Sequence, residues 1–222
     1  MSIAQRIITL KDALPPHVTL VAVSKFHPVE TILEAYNAGQ RVFGENKVQE
    51  LTAKYPLLPS DIQWHFLGTL QTNKVKYIAP YIDMIQSIDS LRLLEEVEKQ
   101  ADKCNRHIHV LLEVHIAEET TKHGFGLDEC RRLFRENQLD AYPHVIVDGL
   151  MGMATFTDDT GQVRKEFQTL KALYDEIKCS GTSGESFTEL SMGMSDDYPV
   201  AVQNGSTMIR VGTLIFGERE YL

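Results

Sequence analysis

The chain has 222 residues, 43% of them hydrophobic, and a formal net charge of -9. With a pI near 5.4, it lacks the clustered positive charge that nucleic-acid and anionic-membrane binding require, so any phosphate site has to be local and built from a few groups. The length suffices for one large core, and a single domain over residues 1–222 is expected.

Residues 2–14 place Ile3, Ile7, Ile8 and Leu10 at helical spacing, and Pro15-Pro16 ends that helix. Val18 to Val23 is almost continuous in β-branched and aliphatic residues, the mark of a strand buried on both faces, and it stops at Ser24-Lys25. The pattern then repeats as an apolar run, a short polar or glycine-bearing joint and a charged helical stretch. Further strands centre on Val42-Phe43, Ile62 to Leu67, Met84-Ile85, Ile108 to Val114, Val145 to Met151, Phe187 to Leu190 and Met208 to Val211. The helices between them centre on residues 29–38, 46–54, 71–79, 90–103, 127–137, 162–178 and 196–204. About eight strand–helix units without a Gly-rich dinucleotide turn predict an α/β protein, a single (β/α)8 barrel with an additional N-terminal helix. After the eighth strand only Phe216 to Leu222 remain for an outer helix, and the N-terminal helix is expected to fill that gap.

Cys104, Cys130 and Cys179 are odd in number and form no C-x-x-C pair, which argues against a disulfide framework or a zinc site. The N-terminus shows no signal-peptide stretch and no run approaches the ~18 apolar residues of a membrane span, so the cytoplasm is the expected compartment. No exposed apolar stripe is evident in the pattern, and a monomer is expected.

Barrels of this kind place their chemistry where strands end and the following loops begin. Lys25 stands there, in Ala22-Val23-Ser24-Lys25-Phe26-His27-Pro28, with apolar residues behind it. Partial desolvation would favour a neutral amine, the form that attacks an aldehyde; a solvated loop lysine fits the same segment. After the seventh strand, Ser191-Met192-Gly193-Met194-Ser195 offers a hydroxyl at Ser191 and close backbone approach at Gly193. After the eighth comes Arg210-Val211-Gly212-Thr213. Loops after strands 7 and 8 commonly form the phosphate site of this fold, although Gly193 and Gly212 would equally serve tight turns.

Six strings taken in order, Ala22-Val23-Ser24-Lys25, Phe43-Gly44-Glu45-Asn46, Trp64-His65-Phe66, Leu70-Gln71-Thr72-Asn73-Lys74, Leu190 to Ser195 and Ile209 to Thr213, resemble the pyridoxal phosphate homeostasis proteins. That family is similar to the barrel domain of alanine racemases. The resemblance implies pyridoxal 5'-phosphate (PLP) bound as an imine on Lys25, with Ser191, Gly212 and Thr213 on the phosphate and Arg210 facing the pyridine nitrogen. Asn46, His65 and Gly193 would line the same pocket. A guanidinium can only donate to that nitrogen, which keeps the ring a weak electron sink.

Two positions depart from the family pattern: His27 stands where a second lysine is frequent, and His115 where asparagine is common. His107, His109, Glu113 and His115 share one strand face by the period of two, but the outermost pair is too far apart to share a metal ion. Asp196-Asp197 ahead of Pro199 reads as a helix start with acidic groups at the positive dipole end.

The resemblance implies a non-enzymatic carrier that buffers PLP and delivers it through transient contacts with apo-enzymes. The alternative is a small racemase-type enzyme, which needs a second base. Racemases supply that base from an additional domain and a partner subunit, and here Tyr198 is the substitute to consider. A scaffold that has lost the cofactor is the third reading.

Overall fold

The computed structural model describes residues 1–118 and 123–218. Helix α1 (Ile3–Ala13) precedes eight strands that alternate with helices: β1 (Thr19–Val23), α2 (Val29–Asn37), β2 (Val42–Glu45), α3 (Val48–Lys54), β3 (Gln63–Phe66), α4 (Val75–Ile78), β4 (Met84–Ile88), α5 (Leu91–Lys103), β5 (Ile108–Glu113), α6 (Leu127–Arg135), β6 (Val145–Met151), α7 (Thr160–Ser180), β7 (Glu189–Ser191), α8 (Tyr198–Gln203), β8 (Met208–Val211) and α9 (Thr213–Phe216). The strands pair in parallel, in sequence order, and β1 closes the barrel on β8.

Alternation along each strand divides the apolar residues between two cores. Leu20, Ala22, Phe43, Trp64, Phe66, Ile85, Leu112, Leu150, Leu190 and Ile209 face outward under the helices. Val21, Met84, Leu111, Met151 and Met208 form a smaller cluster inside the barrel. The interior also carries polar groups: His65, Gln86, Glu113, Ser191 and Arg210 are all buried. Barrel interiors are usually filled by branched aliphatic side chains, so these positions point to function.

The N-terminal helix fills the outer ring as expected. α1 packs between α2 and α9, buries Ile7 and Leu10 and sends Arg6 Nη1 to the carbonyl of Ile215 at 3.3 Å. Burying each of those side chains stabilises the fold by about 1.5–3 kcal/mol. A short helix does follow β8, contrary to the sequence reading, because Gly212 accepts from the amides of Ile215 and Phe216 and starts a single turn. Among the described residues no helix is long and apolar enough to cross a membrane.

Candidate cofactor-binding site

In β1, Leu20 and Ala22 face the helices and Val21 faces the interior. Continuing the period of two, Ser24 turns outward and donates to Glu45 Oε1 at 2.7 Å. Lys25 follows in the turn directly after the strand, half-buried.

The turn that carries Lys25 is clamped from α3. Lys54 Nζ donates to the carbonyl of Ser24 at 3.0 Å, to Glu45 Oε1 at 2.7 Å and to Glu50 Oε2 at 3.3 Å. The amide of Phe26 donates to Glu50 Oε2 at 2.8 Å. Burial pushes the Glu45 carboxyl up, and the Lys54 ammonium with the hydrogen bonds from Lys54 and Ser24 pulls it back. Phe26 has φ 68, a conformation that costs a bulky residue of order 1–3 kcal/mol and persists only where its surroundings impose it. On the far side of the turn, the His27 ring lies 4.8 Å from that of Phe216 in α9.

β8 lies beside β1 with Val21 opposite Arg210 and Ala22 opposite Val211, so Lys25 and Gly212-Thr213 leave adjacent strand ends. A Cβ on Gly212 would stand 3.3 Å from the carbonyl of Val23. The Gly212 amide donates to Ser195 Oγ at 3.4 Å, so a hydroxyl from the β7 loop and an amide from the β8 loop converge beside Thr213, the first residue of α9. Gly193 shapes that loop: it has φ 92, and a Cβ there would lie 2.6 Å from that of Ala201. Asp197 stands at the start of α8, but its carboxylate reaches back to the amide of Met194 at 2.5 Å and closes the loop instead of capping the helix.

Arg210 lies beneath this corner, 5% exposed. Nη1 donates to Ser191 Oγ at 2.6 Å and Nη2 to the carbonyl of Gly152 at 3.1 Å. Desolvation lowers its pKa to about 10, against the opposing charges of Asp197 and Glu113. It remains protonated at neutral pH and acts as a donor only.

The structure thus brings Lys25, Asn46, Arg210, Gly212 and Thr213 to the C-terminal mouth. Asn46 follows β2, and among the described residues its buried Oδ1 has no hydrogen-bond partner. Ser191 does not reach the Ser195–Gly212 corner. As the last residue of β7 it points into the barrel, where its hydroxyl accepts from Arg210 and donates to Gln86 Oε1 at 2.7 Å. His65 is not at the mouth either. It faces the interior from β3 and lines a cavity of about 380 Å³ at the opposite, N-terminal end with Gln63, Asp83, Arg106 and His109. Burial holds the pKa of its imidazole down to about 3.

β5 keeps its period of two, with Val110 and Leu112 in the outer core and Leu111 inside; the register shift against β6 falls on the extra residue Asp148 of β6. His109 pairs with Asp148 at 2.7 Å near the N-terminal end, while Glu113 and His115 line a cavity near the mouth with Met153 and Met194. Among the described residues no group of three His, Cys, Asp or Glu stands close enough to hold a metal. Sequence reasoning missed Ser195 as the hydroxyl at Gly212, Gln86 under Ser191, and the Glu45–Lys54–Glu50 clamp. Ser195 belongs to the same Leu190 to Ser195 string, and strand parity was the signal that could have found it.

A closed parallel barrel with a lysine after its first strand and polar joints after its last two defines the alanine racemase barrel class. The profile "Alanine racemase, N-terminal domain" matches residues 1–220. A pyridoxal phosphate homeostasis protein of Aquifex aeolicus (strain VF5) is 43% identical over 203 residues, covering 91% of this chain and 87% of the relative. The chain belongs to the alanine racemase N-terminal domain family and, within it, to the pyridoxal phosphate homeostasis proteins. PipY of Synechococcus elongatus PCC7942, solved with PLP bound, superimposes with a TM-score of 0.88 at 38% identity, covering 97% of this chain and 100% of PipY. The alanine racemase of Clostridium difficile 630 shares the fold alone, with a TM-score of 0.79 at 12% identity. The match covers 99% of this chain and 56% of the racemase chain.

Proposed function

We propose that this chain holds PLP as a Schiff base on Lys25 at the C-terminal mouth of the barrel and serves as a reservoir and donor of the cofactor rather than as an enzyme. One observation carries the reading: Lys25 and the Ser195–Gly212 corner leave adjacent strand ends, with the buried Arg210 guanidinium beneath them. The names of the relatives and the PLP-bound state of PipY support it.

When bound, the cofactor supplies an electrophilic aldehyde, a phosphate and a pyridine ring. The clamp from α3 orients the turn that carries the Lys25 amine. The Gly212 amide, the Ser195 hydroxyl and Thr213 at the start of α9 hold the phosphate, so an acidic protein binds an anion without net positive charge. Ser195 takes the place first expected of Ser191, whose hydroxyl instead props Arg210. Asn46 Oδ1 accepts from a polar group of the ligand. Arg210, a permanent donor, would meet the pyridine nitrogen and, since it can only donate, would leave that nitrogen unprotonated and the ring a weak electron sink.

The carrier reading also draws support from Tyr198, the tyrosine that a second base would require. It starts α8 and packs its ring against the outer core. A monomer, as expected from the sequence, that passes PLP to apo-enzymes completes the proposal.

Borohydride reduction followed by peptide mapping tests the attachment: the pyridoxyl group is expected on Lys25, and Lys25→Ala abolishes the adduct while retaining phosphate-held cofactor. An adduct on another lysine overturns the assignment. Turnover of L-alanine or other amino acids above the free-cofactor background, followed by D-amino-acid detection, would overturn the carrier reading in favour of a racemase.

A further inference from the structure

Four polar side chains form a continuous hydrogen-bonded chain through the barrel interior. Arg210 Nη1 donates to Ser191 Oγ at 2.6 Å, and Ser191 Oγ donates to Gln86 Oε1 at 2.7 Å. Gln86 Nε2 lies 2.8 Å from His65 Nδ1 and 2.9 Å from Met208 Sδ. His65 ends the chain at the cavity by the N-terminal ends of β3, β4 and β5.

The direction of every link follows from the first. A guanidinium only donates, so Ser191 accepts from Arg210 and must spend its single proton on the far side. Gln86 therefore presents its carbonyl oxygen to Ser191 and its amide nitrogen to His65. His65 Nδ1 must then accept, which places the imidazole proton on Nε2, toward the cavity. Burial keeps that imidazole neutral at any ordinary pH, so the pattern has one arrangement. Gln86 and Ser191 are 1% exposed or less, and water cannot substitute for a missing link without opening the core.

We propose that Gln86, seated on His65, is a positioning residue for Arg210: through Ser191 it sets the direction of the guanidinium that meets the ring nitrogen of the bound cofactor. The inference rests on the placement of Arg210 in the proposed function. Chains of this kind gain their value from preorganisation, since a donor held in one direction loses no freedom when the ligand arrives. Among the described residues the Arg210 side chain has one other hydrogen-bond partner, the carbonyl of Gly152. With Gln86 removed, Ser191 Oγ can still accept from Arg210, but nothing fixes the direction of its hydroxyl, so the guanidinium keeps one rigid anchor, the carbonyl of Gly152.

The test compares PLP with its 1-deaza analogue, in which a ring carbon replaces the pyridine nitrogen, by absorbance titration of the apo-protein. The parent is expected to prefer PLP. Gln86→Met, which keeps the volume and removes the link, should weaken PLP binding about tenfold, the factor that corresponds to losing one charge-assisted contact. It should change affinity for the deaza analogue by less than about twofold on the same scale. Gln86→Glu should retain the parent preference, because a carboxylate accepts from Ser191 and from a proton on His65 Nδ1. This variant carries the comparison if Gln86→Met does not fold.

A preference that survives Gln86→Met unchanged, an equal loss for both ligands, or a loss of preference in Gln86→Glu overturns the inference while leaving Arg210 where the proposed function puts it. A parent that does not distinguish the two ligands overturns that placement and the inference together.

Discussion

Lys54→Met puts the clamp behind Lys25 to a quantitative test. Lys54 is 8% exposed and Glu45 fully buried, with their charges 2.7 Å apart. Removing the ammonium leaves the Glu45 carboxylate with the Ser24 hydroxyl at Oε1, while Oε2 has no hydrogen-bond partner among the described residues even in the parent. Breaking a buried pair from one side costs about 3–5 kcal/mol, because the remaining charge is uncompensated. Against a total stability of about 5–15 kcal/mol, that should lower Tm by roughly 6–20 °C for a chain of this size. The single tryptophan, Trp64, is 1% exposed and reports unfolding in urea.

The cost should also depend on pH. Burial raises the folded-state pKa of Glu45 above 4.5, and removing Lys54 raises it further. A raised carboxyl favours the folded state below 4.5 and loses that contribution as pH rises through the folded value. The penalty of Lys54→Met relative to the parent should therefore be smallest near pH 4 and grow toward neutrality. In the double variant Glu45→Gln/Lys54→Met the dependence should vanish and much of the stability return. A penalty below about 1 kcal/mol, the size of an ordinary surface pair, or one that does not change with pH, would refute the reasoning.

Ser195→Ala should reduce the preference for PLP over unphosphorylated pyridoxal by about tenfold, whereas Ser191→Ala leaves it unchanged. Equal effects would return Ser191 to the phosphate. Burial pushes the pKa of Cys130 up to about 12, and only the thiolate is nucleophilic. Ellman's reagent at pH 8 should therefore label exposed Cys179 at once and Cys130 only on unfolding; simultaneous labelling would contradict the burial. The hydrogen bond to Asp148 raises the pKa of His109 above 6.5, so any stability from this pair is present below 6.5 and fades as pH rises through the folded value. Imidazole NMR between pH 8 and 5 should show His109 charging with a midpoint above 6.5 and His65 remaining neutral, and Asp148→Asn should lower the His109 midpoint.

Which predicted residues reached the mouth follows from their distance to a strand end. Lys25, Asn46, Gly212 and Thr213 come directly after strands, and in a parallel barrel every such position opens on the same face. Ser191 and His65 sit within strands, where one step of parity decides between interior and exterior. Ser191 is drawn inward by Gln86, 105 residues away in sequence, and the local string holds no trace of that partner. The row on β5 spreads along the barrel, with His109 at the N-terminal end and Glu113 and His115 near the mouth, which the rise per strand residue already implied.

From the sequence alone came the eight strand–helix units, the closed barrel, the placement of the N-terminal helix and the lysine at the end of the first strand. Each of these depends on apolar periodicity and on where it stops, and both are local. Only the tertiary structure decided that Ser195 rather than Ser191 stands at Gly212, that His65 belongs to the floor of the barrel, and that Lys54 holds the turn beneath Lys25. Those assignments rest on hydrogen bonds between residues distant in the chain, whose donors and acceptors meet only once the barrel has closed.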